Sequence, residues 1–295
     1  MANLRDIRNR ITSVNNTQQI TKAMKMVAAA KLRKAQDRMI QTRPYANTLS
    51  KVIGRLIQGE HINHPLLRKV DEPNKSILIV VGSDRGLCGG FNNNLFKEVE
   101  SFIHSNFASS HNDVLELVTI GKKATAHFSK RGYQISESFP GFFDNLNYDD
   151  TAKVINSSMD TFISGAVDSV YLAYNEFKSV IAQTRKVDRL LPLLAEDLIS
   201  NDHVNSVQSD YIYEPDQVSI VSDLLPKHIR MQLWKAVLES NASEQGARMT
   251  AMDSATENAK DLERSLRLKY NQARQSAITT EISEIVSGAQ ALSDS

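Results

Sequence analysis

The sequence predicts an α/β fold with a long coiled coil, in which a small Rossmann-like α/β domain is inserted between two long terminal helices that pair antiparallel. Three observations lead to this fold class. Apolar residues recur at three-then-four spacing near both ends of the 295-residue chain, which is the heptad period of a coiled-coil seam. The middle instead alternates short β-branched runs with helical segments. Each terminal helix is also too long for an ordinary globular core to cover, so the simplest partner of each is the other. We therefore divide the chain into an N-terminal coiled-coil helix (1–58), a central α/β domain (59–214) and a C-terminal coiled-coil helix (215–295).

The N-terminal helix has an apolar seam and an unusually basic surface. Pro44 is expected to kink this helix without ending it, because the apolar face continues to Leu56. Between Met1 and Arg55, twelve lysines and arginines stand against two aspartates, a balance that favours an acidic neighbour. The predicted seam consists of Leu4, Ile7, Ile11, Val14, Ile20, Met24, Val27, Leu32, Ala35 and Met39.

The central segment has the pattern of an open sheet with parallel strands. Its strongest signal is Ser76–Gly82, a continuous β-branched run typical of a strand buried on both faces. The predicted strands are Ser76–Gly82, Val114–Ile120 and Val170–Tyr174, with weaker candidates at Leu190–Leu194 and Tyr211–Tyr213. The predicted helices are Phe91–Phe107, Lys122–Lys130 and Thr151–Val167, and Glu196–Ser209 is predicted to be a polar loop.

The C-terminal helix continues the heptad pattern and ends in an apolar segment. Pro226 is expected to kink this helix or to lie in its first turn. The predicted seam consists of Met231, Trp234, Leu238, Met249, Met252, Ala255, Ala259, Leu262, Leu266, Ala273, Ala277 and Thr280. Beyond the seam, apolar residues surround the helix on nearly all sides: Ile278, Ile282, Ile285, Val286 and Leu292. An exposed helix end is rarely apolar all round, so we expect this end to enter an apolar socket on another chain.

Composition excludes several classes of protein. The formal net charge of +1 gives no reason to expect a nucleic-acid partner. Cys88 is the single cysteine, which excludes an internal disulfide and fits a reducing compartment. The sequence contains no apolar run of the roughly 18 residues that a membrane-spanning helix needs, and its first residues do not resemble a secretory signal. We expect any membrane association to come through other subunits.

The glycine-rich loop after the first strand, Gly82–Asn92, raises the alternative of a nucleotide-binding α/β enzyme with a coiled-coil arm. Such loops hold phosphates in dinucleotide-binding folds, but this one has neither G-x-G-x-x-G nor G-x-x-x-x-G-K-[ST] spacing. We predict a contact loop at the carboxyl edge of the sheet, with Arg85 and Cys88 facing a partner. Cys88 as a nucleophile would need a positioned histidine and carboxylate, so a half-buried structural role is favoured. We expect no catalytic residue, cofactor or metal.

Four motifs, in order along the whole chain, resemble the gamma subunit family of F-type ATP synthases. They are KAMKMVAAAK at Lys22–Lys31, SDRGLCGG at Ser83–Gly90, SEQGARMTAM at Ser243–Met252 and ITTEISEIVSGA at Ile278–Ala289. The resemblance implies a rotor shaft, whose two terminal helices form an antiparallel coiled coil inside a ring of three alpha and three beta subunits. The α/β domain would lie below, beside the epsilon subunit and on the membrane c-subunit ring. Met24, Lys25, Arg248, Gln275, Thr279 and Glu281 would face the catalytic subunits.

Two departures from related forms refine this expectation. The chloroplast form of the family carries an additional segment with a cysteine pair for thiol control, whereas this chain has Cys88 alone. The chain begins at the family's first helix without a transit peptide, which favours a bacterial protein on the cytoplasmic face of the inner membrane. Two rival interpretations stay open at this point, the nucleotide-binding enzyme and a free-standing coiled-coil protein that dimerises through its ends.

Overall fold

The computed structural model describes residues 4–59, 64–68, 70, 75–107, 114–194, 214 and 216–293. In chain order the elements are α1 (Leu4–Gly59), a 3-10 turn (Pro65–Leu67), β1 (Ser76–Val81), α2 (Phe91–Asn106), β2 (Leu115–Ile120), α3 (Lys122–Lys130), β3 (Ile135–Phe139), α4 (Tyr148–Ile163), β4 (Ser169–Phe177), β5 (Gln183–Leu191) and α5 (Gln217–Ser293). By packing they form two compact units, Ala29–Arg248 and the pair Met1–Ala28 with Met249–Ser295. Both long helices contribute to both units. The division at residues 58 and 215 stays a prediction.

The two terminal helices are continuous over 56 and 77 residues, as the periodicity predicts. Pro44 lies inside α1 and Pro226 lies inside α5. Neither proline ends its helix, although each removes one backbone donor from the hydrogen-bond ladder.

In the smaller unit the two helices pair antiparallel, which confirms the predicted arrangement. The Arg8 guanidinium donates to the Tyr270 hydroxyl at 2.7 Å, and the hydroxyls of Thr21 and Thr256 lie 2.8 Å apart. Lys25 forms an ion pair with Asp253. As the residue number rises along α1, that of its partner on α5 falls by nearly the same amount. This register brings Ile7–Val27 against the stretch near Met249–Leu266, as predicted, and extends the pairing to Tyr270.

The seam differs from the predicted one at several positions. Ile20, Val27 and Leu262 were expected inside it, yet their exposed fractions are 59%, 56% and 45%. Ala277 and Thr280 are also exposed, because they lie beyond the α5 residues that pair with the described part of α1. The positions that recur at three-then-four spacing and are buried or half-buried are Leu4, Ile7, Ile11, Val14, Gln18, Thr21, Lys25 and Ala28 on α1, with Met249, Met252, Thr256, Ala259, Glu263, Leu266, Tyr270 and Ala273 on α5. Several of these are polar, so an apolar pattern alone misplaces part of the seam here.

The larger unit contains a mixed five-stranded sheet in the order β3-β2-β1-β4-β5. Strands β1 to β4 are parallel, whereas β5 runs antiparallel to β4 and pairs with it as a hairpin. The expectation of a purely parallel sheet was therefore wrong at β5. The short connection after Phe177 leaves no room for the crossover that a parallel neighbour requires.

Helices cover both faces of this sheet. Alternate residues of β1 enter two separate cores, with Ile77, Ile79 and Val81 on one side and Leu78 and Val80 on the other. The second core is completed by α2 and α3. The first core receives α4 and the inner parts of the long helices, through Leu49, Ile53 and Leu56 of α1 and Val221, Leu225, Ile229, Leu233 and Val237 of α5. The long helices are therefore structural parts of the α/β unit.

The predicted elements that fall on described residues are found, although one edge strand was missed and the other begins earlier than predicted. Strand β3 was not predicted, and β5 begins at Gln183, well before the predicted Leu190–Leu194. Helix α4 spans Tyr148–Ile163, where Thr151–Val167 was predicted. The predicted loop Glu196–Ser209 and strand Tyr211–Tyr213 lie outside the described residues.

Candidate interaction surfaces

The loop after β1, Gly82–Gly90, is held in a defined conformation. The Asp84 carboxylate accepts backbone hydrogen bonds from Lys122, Gly141 and Phe143 at 3.0, 2.7 and 3.0 Å. Three such bonds to one charged acceptor tie the loop to α3 and to the turn after β3. The adjacent Arg85 is exposed and forms an ion pair with Asp144 at 3.2 Å.

Cys88 is buried inside this loop, with an exposed fraction of 2%. Its sulfur lies 3.3 Å from the Asn92 amide nitrogen, and burial raises the pKa of its thiol. The expectation that Cys88 faces a partner therefore needs correction, because its thiol is turned inward in this conformation. The exposed side chain is the preceding Leu87, 66% exposed, with a backbone φ of 62°. That left-handed conformation costs a non-glycine residue about 1 kcal/mol.

Arg248 also points inward, and its exposed fraction is 9%. Its guanidinium lies 2.7 Å from the Glu244 carboxylate and donates to the carbonyls of Arg85 and Gly86 at 3.2 and 3.3 Å. Burial raises the pKa of Glu244, while Arg248 opposes that shift. The predicted partner contact through Arg248 is thus replaced, in this structure, by contacts within the larger unit.

A charged cleft of about 280 Å³ lies beside the loop. Five basic side chains line it: Lys31, Lys34, Arg38, Arg85 and Arg248. Three carboxylates, Asp84, Asp144 and Glu244, lie among them, and all three are engaged in ion pairs or backbone hydrogen bonds. The excess of positive charge would attract an acidic segment of a partner.

The other predicted contact residues belong to the smaller unit. Met24 and Lys25 are half-buried beside the seam. Next to them, the apolar side chains of Ile20, Met26 and Val27 are each more than half exposed, with fractions of 59%, 61% and 56%. Gln275, Thr279 and Glu281 are exposed on α5.

The end of α5 is apolar and exposed. Ile278, Ile282, Ile285 and Val286 are 49%, 55%, 65% and 55% exposed. They follow the last α5 residue that pairs with the described part of α1. Every described side chain from Arg274 to Ala289 is exposed, so this stretch of α5 has no cover among the residues that the structure describes. We call Arg274–Ala289 the α5 tip.

The loop packs closely against the rest of the chain at its two ends. The Ser83 amide donates to the Asn92 side chain at 3.0 Å, so this donor is already used. A Cβ built on Gly82 would lie 2.8 Å from the Ala124 Cβ, and one on Gly90 would lie 2.8 Å from the Asn94 side chain. Between these ends lies a cleft of about 270 Å³, lined by Gly86, Gly89 and Lys123 among others, so the close packing is confined to the ends of the loop.

Two kinds of feature are absent from the residues that the structure describes, a metal-binding cluster and a membrane-spanning helix. Among them, no three histidine, cysteine, aspartate or glutamate side chains cluster as metal ligands. None of the helices described contains an apolar stretch long enough to cross a lipid bilayer. Sequence reasoning missed the exposed Leu87, because its left-handed backbone conformation has no clear sequence signal. It also missed that Arg248 is buried, because a charged residue on a helix is expected at the surface.

The elements define a class of protein in which two long helices pair antiparallel and a small α/β domain is inserted between them in the sequence. The family model described as ATP synthase matches residues 3–292. The chain is 49% identical to the ATP synthase gamma chain of Chlorobaculum tepidum and 47% identical to that of Chlorobium phaeobacteroides, each over 99% of both chains. The chain therefore belongs to the ATP synthase gamma chain family.

Solved structures have the same fold. A central-stalk chain of the Tetrahymena thermophila mitochondrial ATP synthase is 26% identical, with a TM-score of 0.61 over 80% of this chain and 99% of that one. A chain from the Euglena gracilis mitochondrial assembly, titled OSCP/F1/c-ring, has a TM-score of 0.69 at 19% identity, over 98% of this chain and 94% of that one. The second likeness concerns the fold alone.

Proposed function

We propose that this chain is the central rotor shaft of an F-type ATP synthase. It would couple proton flow through a membrane ring of c subunits to ATP synthesis or hydrolysis in a ring of alpha and beta subunits. The observation that carries the proposal is the α5 tip, an uncovered helix end with four large apolar side chains about half exposed. Covering each of these would contribute on the order of 1 kcal/mol. An apolar sleeve inside a ring of subunits would supply that cover and still let the helix turn.

The shaft is proposed to contact the catalytic ring at three places. The tip would contact the ring through Gln275, Thr279 and Glu281. The coiled coil would contact it through Met24 and Lys25, and the loop Gly82–Gly90 through Arg85 and the exposed Leu87. Contacts that are broken in each turn must be weak, and exposed ion pairs of about 1 kcal/mol or less fit this requirement.

We further propose that the chain is a non-catalytic subunit. The epsilon subunit and the c ring would contact its α/β unit, and the chain would be a peripheral protein on the cytoplasmic face of a bacterial membrane.

The alternative, a nucleotide-binding enzyme, requires free donors in the Gly82–Gly90 loop. The close packing at Gly82 and Gly90, and the Ser83 amide that already bonds Asn92, argue against such donors at the two ends of the loop. Calorimetry of the pure chain should detect no Mg-ATP binding tighter than millimolar, and micromolar binding would support the alternative.

Co-purification of tip variants tests the shaft proposal. Ile282→Asp with Ile285→Asp should leave the thermal unfolding of the isolated chain unchanged, because both side chains are exposed there. The same double change should weaken recovery of the chain with alpha and beta subunits, because it places two charges in an apolar sleeve. Asn271→Asp with Gln272→Asp controls for added charge, because both side chains are exposed on the same helix but lie before the tip and outside the proposed sleeve. Equal recovery of the isoleucine variant and wild type would contradict the sleeve.

A further inference from the structure

A short stretch of α5 is buried although most of its residues are polar. It runs from Glu239 to Arg248. On the described part of α1, by contrast, the only buried polar residue is Thr21. Its buried polar residues are Glu239, Ser240, Ser243, Glu244, Gln245 and Arg248, each no more than 9% exposed. Buried polar groups need hydrogen-bond partners, and this stretch finds most of its partners at the carboxyl edge of the sheet.

The first contacts join α5 to the ends of β1 and β4. The Ser240 hydroxyl donates to the Val81 carbonyl at 3.4 Å, and the Ser243 hydroxyl donates to the Asn175 carbonyl at 3.1 Å. From the other side, the Gln183 side chain donates to the Ser243 carbonyl at 2.9 Å. The helix is thereby bonded to the parallel strands and to the β4–β5 hairpin.

Arg248 makes the corresponding contact to the loop Gly82–Gly90. Its guanidinium bonds the two successive carbonyls of Arg85 and Gly86, while Glu244, one turn earlier on α5, holds the guanidinium in place. Arginine suits this role because its planar group offers several donors in a fixed geometry. Asp84 bonds the same loop to α3. Arg248 bonds it to α5 and so joins the loop to the long helix.

We propose that Arg248 is a positioning residue that makes the loop Gly82–Gly90 move as one body with α5, and that it acts on a partner only through that loop. This inference rests on the proposed shaft function. When α5 turns, a loop bonded to it at two carbonyls would keep Leu87 and Arg85 at a fixed angle. A loose loop would instead lag behind the helix, and rotation would be less tightly coupled to the conformation of the catalytic sites.

The test uses a double variant that leaves no buried charge. Arg248→Met with Glu244→Gln keeps similar side-chain volumes but removes the two carbonyl bonds. Hydrogen exchange of the Ser83–Phe91 segment in the pure chain should become at least tenfold faster. Arg248→Lys retains a cation beside Glu244 but lacks the planar set of donors, so it should restore only part of the protection. Arg267→Gln is the matched control, because Arg267 pairs with Glu263 at the same spacing on the same helix but is exposed.

The assembled complex supplies the second measurement. Protons pumped per ATP hydrolysed should fall at least twofold in the double variant, fall less with Arg248→Lys, and be unchanged in the control. Unchanged exchange of the loop would overturn the proposal, and so would faster exchange with coupling intact. Failure of the wild-type chain to assemble or couple at all would instead refute the proposed function, whatever the exchange of the loop.

Discussion

Replacing Leu266 by alanine tests the seam most sharply, because the residue one turn earlier provides a matched control. Leu266 is 7% exposed and lies on the seam, whereas Leu262 is 45% exposed and lies outside it. Truncating a buried leucine costs about 2–5 kcal/mol. A seam between only two helices can partly close over the gap, so we expect about 2 kcal/mol for Leu266→Ala. Leu262→Ala should cost well under about 1 kcal/mol, because its side chain loses little buried area.

Hydrogen exchange of the purified chain is the appropriate assay, because it reports local opening of the paired helices. A loss of about 2 kcal/mol corresponds to roughly thirtyfold faster exchange, which we expect for the Ile7–Thr21 amides of Leu266→Ala. These amides lie on the helix opposite the substitution, so faster exchange there reports the pairing itself. A larger effect from Leu262→Ala than from Leu266→Ala would refute the register of the seam.

Two further predictions concern buried groups of the larger unit. The Cys88 thiol should react with a maleimide far more slowly in the folded chain than in denaturant. Leu87→Cys in a Cys88→Ser background should instead react at the rate of an exposed thiol. Equal rates for Cys88 in the folded and denatured chain would place this thiol at the surface. Burial lowers the pKa of His228 to about 4. As pH falls from about 6.5 to about 4, only the unfolded chain therefore gains a proton at this site. The free energy of unfolding should fall by up to about 3 kcal/mol over that window. Urea unfolding of His228→Gln should show a flatter pH dependence, and an identical profile would contradict the assignment.

Burial decides which parts of the sheet could be predicted from sequence. Strands β1 and β2 are buried along almost their whole length, and continuous β-branched or aliphatic runs mark them clearly. Strands β3 and β5 lie at the two edges, where polar residues such as Glu137, Arg185 and Asp188 are tolerated because one side faces solvent. Their sequences therefore resemble loops, and only pairing with a neighbour reveals them.

The coiled coil was predicted as a fold but not in its detailed register. Gln18 and Thr21 occupy seam positions although they are polar, and the Thr21 hydroxyl bonds that of Thr256 on the other helix, while Ile20 and Val27 are exposed. A period of apolar residues cannot distinguish a seam from an outer face that another chain covers. The same limit applies to Cys88 and Leu87, since the left-handed backbone at Leu87 determines which of the two side chains is buried.

The most direct test of the shaft proposal is a reversible bond between this chain and the catalytic ring. Leu87→Cys, in a Cys88→Ser background, places an exposed thiol at the tip of the Gly82–Gly90 loop, and a second cysteine would be engineered on the lower rim of the ring. Oxidation should join the two chains, as a gel would confirm, and multi-site ATP hydrolysis should stop because thermal motion cannot break the disulfide. Reduction should restore hydrolysis, since no catalytic group has been altered. Full turnover in a demonstrably cross-linked complex would contradict rotation of this chain against the ring.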